Sequence, residues 1–133
     1  MKKIRLDDDG YCFVCGKSNQ FGLQLDFKKE GDKIVAEFIP QKRHQGFKDI
    51  VHGGIISAVL DEAMVKAALS LGIEAVTAEI TVRLKNPLFT GEKTFIEADI
   101  KKMGTRLIET SSMIKKEDNT VIAEANAKLL KNA

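Results

Sequence analysis

One segment of this chain sustains a helical repeat, and it is apolar on nearly every side. Between Gly53 and Leu71, residues Ile56, Leu60, Ala63, Met64, Ala67 and Leu71 recur at three- and four-residue spacing, and Gly72 is placed to stop the helix. A helix with so little polar surface has to be enclosed. Asp61, Glu62 and Lys66 interrupt the run, so it does not read as a membrane span.

The remainder of the chain supplies the enclosure, because its period is two. Leu23, Leu25 and Phe27 alternate with polar residues, Glu30-Gly31-Asp32 marks a turn, and Ile34, Ala36 and Phe38 alternate again before Pro40. That pattern predicts a hairpin. After the helix, Val76, Ala78, Ile80, Val82 and Leu84 alternate with Thr77, Glu79, Thr81, Arg83 and Lys85 until Asn86-Pro87 ends the run. Segments 93–103, 106–116 and 120–130 then read as a meander, separated by Gly91-Glu92, Gly104-Thr105 and Glu117-Asp118-Asn119. Six strands and one long helix predict an α+β fold in which a curved antiparallel sheet wraps a single central helix. Such a sheet leaves an edge strand or a helix flank for a second copy to cover.

With 133 residues and 44% apolar content, the chain is sized for one domain over 1–133 with a core of its own. Lys and Arg number 21 against 19 Asp and Glu, a balance that excludes a dedicated nucleic-acid binder. The start, Met1 to Asp9, lacks the apolar stretch of a signal peptide, so a cytoplasmic location is expected, with no membrane partner.

Chemistry concentrates before and inside the helix. Gly53 and Gly54 are poor helix formers, yet they let a ligand approach backbone N–H groups that have no intrahelical acceptor. Helped by the helix dipole, those groups suit a developing oxyanion, although a plain Gly-rich turn gives the same pattern. Asp61 adds a second group. At 100° per residue, Glu62, Lys66 and Ser70 form one polar stripe, and Asp61 lies about 100–140° away beside Gly54, Ser57, Met64 and Ala68. A carboxylate in that company must be paired, hydrogen-bonded or raised in pKa, either as a general base or as an acceptor for a buried donor. Gly53 and Asp61 are eight residues apart, about 12 Å along one straight helix, so the two cannot meet at one carbonyl within one chain. A two-fold dimer would bring them together at two equivalent sites.

The order of elements and the run His52-Gly53-Gly54, six residues, then Leu60-Asp61-Glu62 resemble a hotdog-fold acyl-CoA thioesterase of the phenylacetate-degradation type, within the hydroxybenzoyl-CoA thioesterase superfamily. The resemblance covers essentially the whole chain. It implies that Gly53 donates its N–H to a thioester carbonyl, that Asp61 is base or nucleophile, and that His52 orients loop or substrate. It further implies that Thr77 positions water or the carboxylate, that Gln45 belongs to the same loop constellation, and that Gly54 contacts substrate. Acyl-CoA is then the substrate, with no separate cofactor, and the assembly is a homodimer or a dimer of dimers. A non-catalytic acyl-CoA sensor and a hotdog hydratase are the alternatives; neither the extra partner-binding segment of the first nor the Asp/His loop pattern of the second is found.

Two further features remain. Lys102, Gly104, Thr105 and Arg106 combine cations with a glycine turn and are expected to contact the phosphates of coenzyme A, with Lys101, Arg83 and Lys85 as weaker candidates. Cys12-Phe13-Val14-Cys15-Gly16 resembles half of a zinc site, but tetrahedral structural zinc needs four ligands, and the only histidines are His44 and His52. The pair is therefore read as a packed N-terminal turn, with no metal expected.

Overall fold

The computed structural model describes residues 4–132; residues 1–3 and 133 of the expected domain lie outside them. Strands β1 (Lys28–Glu30) and β2 (Lys33–Phe38) form the first hairpin, helix α1 spans Gly53–Leu69, and β3 (Ala75–Leu84), β4 (Thr94–Met103), β5 (Leu107–Lys116) and β6 (Val121–Lys131) follow. All pair antiparallel in one sheet of order β1-β2-β4-β5-β6-β3. The helix packs on one face of that sheet and touches every strand from β2 to β6. This is the expected hotdog arrangement. No helix among the described residues is long and apolar enough to cross a membrane.

The helix lies under the sheet as its pattern requires. Ile56, Leu60, Ala63, Met64 and Ala67 are buried, joined by Val59 and Ala68. They meet Ile96, Ile108, Ile114, Ile122 and Leu129 from the sheet. Truncating a residue such as Leu60 to Ala would cost about 2–5 kcal/mol, because close-packed neighbours cannot collapse into the space. The helix stops two residues before its predicted end. Gly72 takes φ +76° and donates its N–H to Leu69, while Ile73 N–H returns to Ala68, so Leu71 lies beyond the last turn and is 52% exposed.

Two other expectations are corrected. Leu23–Phe27 is an extended segment rather than a strand of the sheet: Gln24 adopts φ +52°, which interrupts regular pairing. Its Leu23 and Leu25 are nevertheless buried, with their N–H groups bonded to the carbonyls of Phe13 and Val14. The stripe of Glu62 and Lys66 is also not a solvated face. Both are half-buried, because the N-terminal turn packs on this side and Cys12 donates its thiol proton to Glu62 Oε2 at 3.3 Å.

Strand β3 carries an irregularity that changes which way Thr77 faces. Thr77 pairs with Leu129 and Glu79 with Lys128, so Ala78 is an extra residue, a β-bulge. The alternation predicts Thr77 on the face opposite Ile80, Val82 and Leu84. The bulge resets the alternation. Thr77 therefore shares the helix-facing side with Ile80 and Val82, which pair with the buried Ala127 and Ala125.

Candidate active site

The loop before the helix is braced by its own side chains. Gln45 and Val51 form an isolated bridge, and Gln45 Oε1 accepts the Asp49 N–H at 3.0 Å and Lys42 Nζ at 3.3 Å. Gln45 thus braces the loop through its side-chain oxygen. His44, buried at its end, accepts the Gln41 N–H on Nδ1 at 2.9 Å, and its carbonyl receives the His52 N–H at 2.9 Å.

His52 is the helix N-cap, and its Nδ1 accepts the Gly54 N–H at 2.8 Å. This bond fixes Nδ1 as the unprotonated ring nitrogen and answers one of the orphan donors of the first turn. A Cβ on Gly54 would stand 3.0 Å from that nitrogen, so the ring folds over the helix start only because Gly54 has no side chain. The N–H of Gly54 is thus occupied by His52. The N–H of Gly53 has no partner among the described residues. Gly53 borders a cavity of about 270 Å³ with Ile56, Leu84, Asn86, Pro87 and Leu88.

Asp61 lies two turns further on, half-buried, facing β3. Thr77 donates its hydroxyl proton to Asp61 Oδ1 at 2.5 Å. Of the ways to accommodate a carboxylate on this side of the helix, the structure shows the hydrogen bond. It leaves Oδ2 free of partners among the described residues.

The two groups face opposite ends of β3. Thr77, beside Asp61, is near its start, whereas Leu84, whose Cδ1 would be 3.0 Å from a Cβ on Gly53, is its last residue. Lys102, Gly104, Thr105 and Arg106 surround a separate cavity of about 360 Å³ at the β4–β5 turn, with Glu109 and Lys128. There Gly104 donates to the Leu107 carbonyl at 2.9 Å, and a Cβ would stand 2.5 Å from the same oxygen, so the turn requires glycine. The cross-strand row Thr77–Leu129–Ile108–Met103 puts this turn at the Asp61 end of the sheet. Among the weaker candidates, Lys85 is engaged by Glu124 at 2.9 Å and Lys101 by Asp99 at 3.4 Å.

Comparison with known proteins places this geometry. The profile described as thioesterase superfamily matches residues 48–123, which span the end of the pre-helix loop, the helix, strands β3 to β5 and the start of β6. The chain belongs to the thioesterase superfamily. A superfamily relative named acyl-coenzyme A thioesterase THEM4, from Xenopus laevis, is 28% identical over 131 residues, covering 95% of this chain and 54% of its own length. The chain thus spans about half of that relative. Among solved structures, the E. coli PaaI protein from the phenylacetic acid degradation operon superposes with a TM-score of 0.78 at 20% identity, covering 84% of this chain and 81% of that one. A hypothetical thioesterase protein from Streptococcus pneumoniae, solved with coenzyme A, gives 0.76 at 15% identity, covering 80% and 84%. At these identities the structures establish the superfamily's fold for this chain.

Within the chain, then, the structure brings Asp61 to Thr77 and His52 to Gly54, gathers the 102–106 rim, and keeps Gly53 apart from Asp61. Sequence reasoning missed Leu84 as the side chain over Gly53 and the contact of Cys12 with Glu62. The first had a signal, since Leu84 ends the strand just before Asn86-Pro87. The second had none, because it depends on how the N-terminal turn crosses the helix.

Proposed function

We propose that the protein is a homodimeric acyl-CoA thioesterase that hydrolyses a thioester to a carboxylic acid and free coenzyme A. The observation that carries this reading is the pairing of two unlike groups along one strand: a free N–H at Gly53 beside the end of β3, and a Thr77-held carboxylate at Asp61 beside its start. Strand β3 is hydrogen-bonded only to β6, so its other edge is open among the described residues. If two β3 edges pair antiparallel about a two-fold axis, the start of one strand lies against the end of the other. Gly53 of one protomer then approaches Asp61 of the partner subunit, which answers the 12 Å separation within a chain. Equal distance from Thr77 and Leu84 puts the axis near Ile80 and Thr81.

The chemistry follows from these groups. When the thioester carbonyl is attacked, its oxygen gains negative charge, and the Gly53 N–H at the positive end of the helix accepts that charge as a hydrogen-bond donor. Asp61, with Oδ1 held by Thr77, uses Oδ2 in one of two ways. As a base it takes a proton from water, whose oxygen bonds to the carbonyl carbon; collapse of the intermediate then expels the coenzyme A thiolate, which receives a proton. As a nucleophile it forms a mixed anhydride and expels the thiolate first, and water then splits the anhydride. Lys102, Thr105 and Arg106 supply cations and a hydroxyl for the phosphate-bearing end of the substrate. In the streptococcal protein, single alanine variants have been solved at an aspartate and a threonine 16 positions apart, the spacing of Asp61 and Thr77 here.

A thiol-release assay over a panel of acyl-CoA esters tests the proposal. Asp61→Asn is expected to lower the rate about 10²–10⁴-fold while the dimer stays folded. Full activity in that variant refutes the assignment. Tight acyl-CoA binding without hydrolysis of any ester by the unaltered protein would instead make it a sensor.

A further inference from the structure

The N-terminal turn and the helix bring three ligand-bearing side chains into one cluster. Cys12 Sγ, Cys15 Sγ and a Glu62 carboxylate oxygen, all half-buried, lie within 4.8 Å of one another, away from Asp61's contact with β3. The two cysteines come from a turn with a particular build. Cys15 N–H points at Cys12 Sγ at 3.5 Å, Gly16 N–H bonds to the Cys12 carbonyl at 2.9 Å, and a Cβ on Gly16 would stand 2.4 Å from Cys12 N. Only glycine lets the chain turn that tightly after Cys15, and the turn aims both sulfurs the same way. The third ligand arrives from the helix, 47 residues beyond Cys15.

We propose that Cys12, Cys15 and Glu62 bind one thiophilic divalent cation of the zinc class, which fastens the N-terminal segment to helix α1. Bonds of about 2.3 Å to sulfur and about 2.0 Å to oxygen set ligand atoms of a tetrahedral ion about 3.5–3.8 Å apart. The Cys12 Sγ to Glu62 Oε2 distance of 3.3 Å is already close to that, and since no pair is more than 4.8 Å apart, about 1.3 Å of closure at most completes the set. The fourth position is left to solvent, which a half-buried cluster admits. Two thiolates, one carboxylate and a dication leave a single negative charge, and the Lys66 ammonium beside Cys15 neutralises it.

Burial and the neighbouring Glu62 carboxylate push the Cys15 thiol up to about 12. Burial alone would lower Lys66, but the charges of Cys15 and Glu62 outweigh it and hold the ammonium above its ordinary range. A thiol so reluctant to ionise is a poor redox nucleophile.

The test uses the full chain, reduced and free of any affinity tag, stripped of metal and titrated with Zn²⁺ or Co²⁺. One ion per chain is expected, with a sulfur-to-cobalt charge-transfer band and d–d bands of tetrahedral intensity. Cys15→Ser should lose most of the charge-transfer intensity. Glu62→Gln should keep both sulfur bonds yet bind at least about 10-fold more weakly. Thermal unfolding should rise on adding Zn²⁺ to the unaltered protein and not to Cys15→Ser. Absence of the cobalt band in the reduced, unaltered protein would overturn the proposal, whether or not the cysteine variant folds. Stoichiometric binding that Cys15→Ser leaves untouched would overturn it as well.

Discussion

The two edges of the sheet are built to opposite specifications. β1 is three residues long, and its Lys28, Lys29 and Glu30 are all charged and exposed. β3 is ten residues long and rich in β-branched residues, with Ile80 37% and Leu84 56% exposed on the helix-facing side. A short charged edge discourages strand addition, whereas a long apolar one invites it. The chemistry divides the same way. Asp61, Thr77 and Gly53 all lie along β3, and among the described residues the β1 side offers no such pairing of a hydroxyl-held carboxylate with a free helix-start N–H. What a fold leaves unprotected at one edge only is the place to look for a partner, and here that edge also holds both halves of the proposed site.

The largest effect should come from charging the open edge. Ile80→Lys places an ammonium close to the proposed two-fold axis, opposite its own copy. We expect the dimer to separate and hydrolysis to fall about 10²–10⁴-fold, as far as with Asp61→Asn, because Asp61 loses the oxyanion donor of the other protomer. Since Ile80 is partly exposed, the monomer should remain folded. The control is the other edge: Lys29→Ile should alter neither quantity. Sedimentation and thiol release read both variants, and an Ile80→Lys monomer with full activity would break the comparison.

A smaller effect is expected from the hydroxyl that the bulge turns inward. Thr77→Ala removes a hydrogen bond to a carboxylate worth about 1.5–3 kcal/mol, so kcat should fall roughly 10–100-fold with the dimer intact. Thr77→Ser, which keeps the donor, should recover most of the loss. Loss of KM alone, with kcat unchanged, would place Thr77 in substrate binding instead of carboxylate positioning.

Thr77 also shows what could be read from the chain and what could not. The helix, ending within three residues of the Gly72 turn, and the four long strands follow from periodicity and turn residues, since each is decided by neighbours in sequence. The eight-residue interval from Gly53 to Asp61 was equally plain. The face of Thr77 was not: strict alternation puts it with Glu79 and Thr81, and only pairing with β6 reveals that Ala78 is extra. Glu62 likewise looked like part of a solvated stripe until the N-terminal turn covered it. Gln45 and Gly54 were legible as candidate site residues, but their hydrogen bonds to Asp49 and His52 were not. Contacts that join distant segments decide these assignments, and no local pattern encodes them.

The smallest effect belongs to the inert side of the molecule. His44 is 5% exposed, its ring centroid lies 5.6 Å from that of Phe38 on β2, and Nδ1 accepts the Gln41 N–H. Burial, reinforced by the nearby Arg43 charge, lowers its pKa from the ordinary 6.5. Between the lowered value and 6.5 the unfolded chain binds the proton more readily than the folded one, so this histidine's contribution is complete above pH 6.5 and is lost as the pH falls through the folded pKa. Protonation would also put a hydrogen on the nitrogen that accepts from Gln41. Wild-type stability should therefore decline on acidification with an added slope of at most about 1.4 kcal/mol per pH unit, and His44→Gln, which keeps an acceptor and has nothing to titrate, should lack that increment. Denaturant unfolding followed from pH 7.5 to 5 measures the slope. Equal slopes in the two proteins would show that the β2 side contributes no titratable stability. A change in sedimentation over the same range, present in wild type and absent in His44→Gln, would link this side to the β3 edge after all.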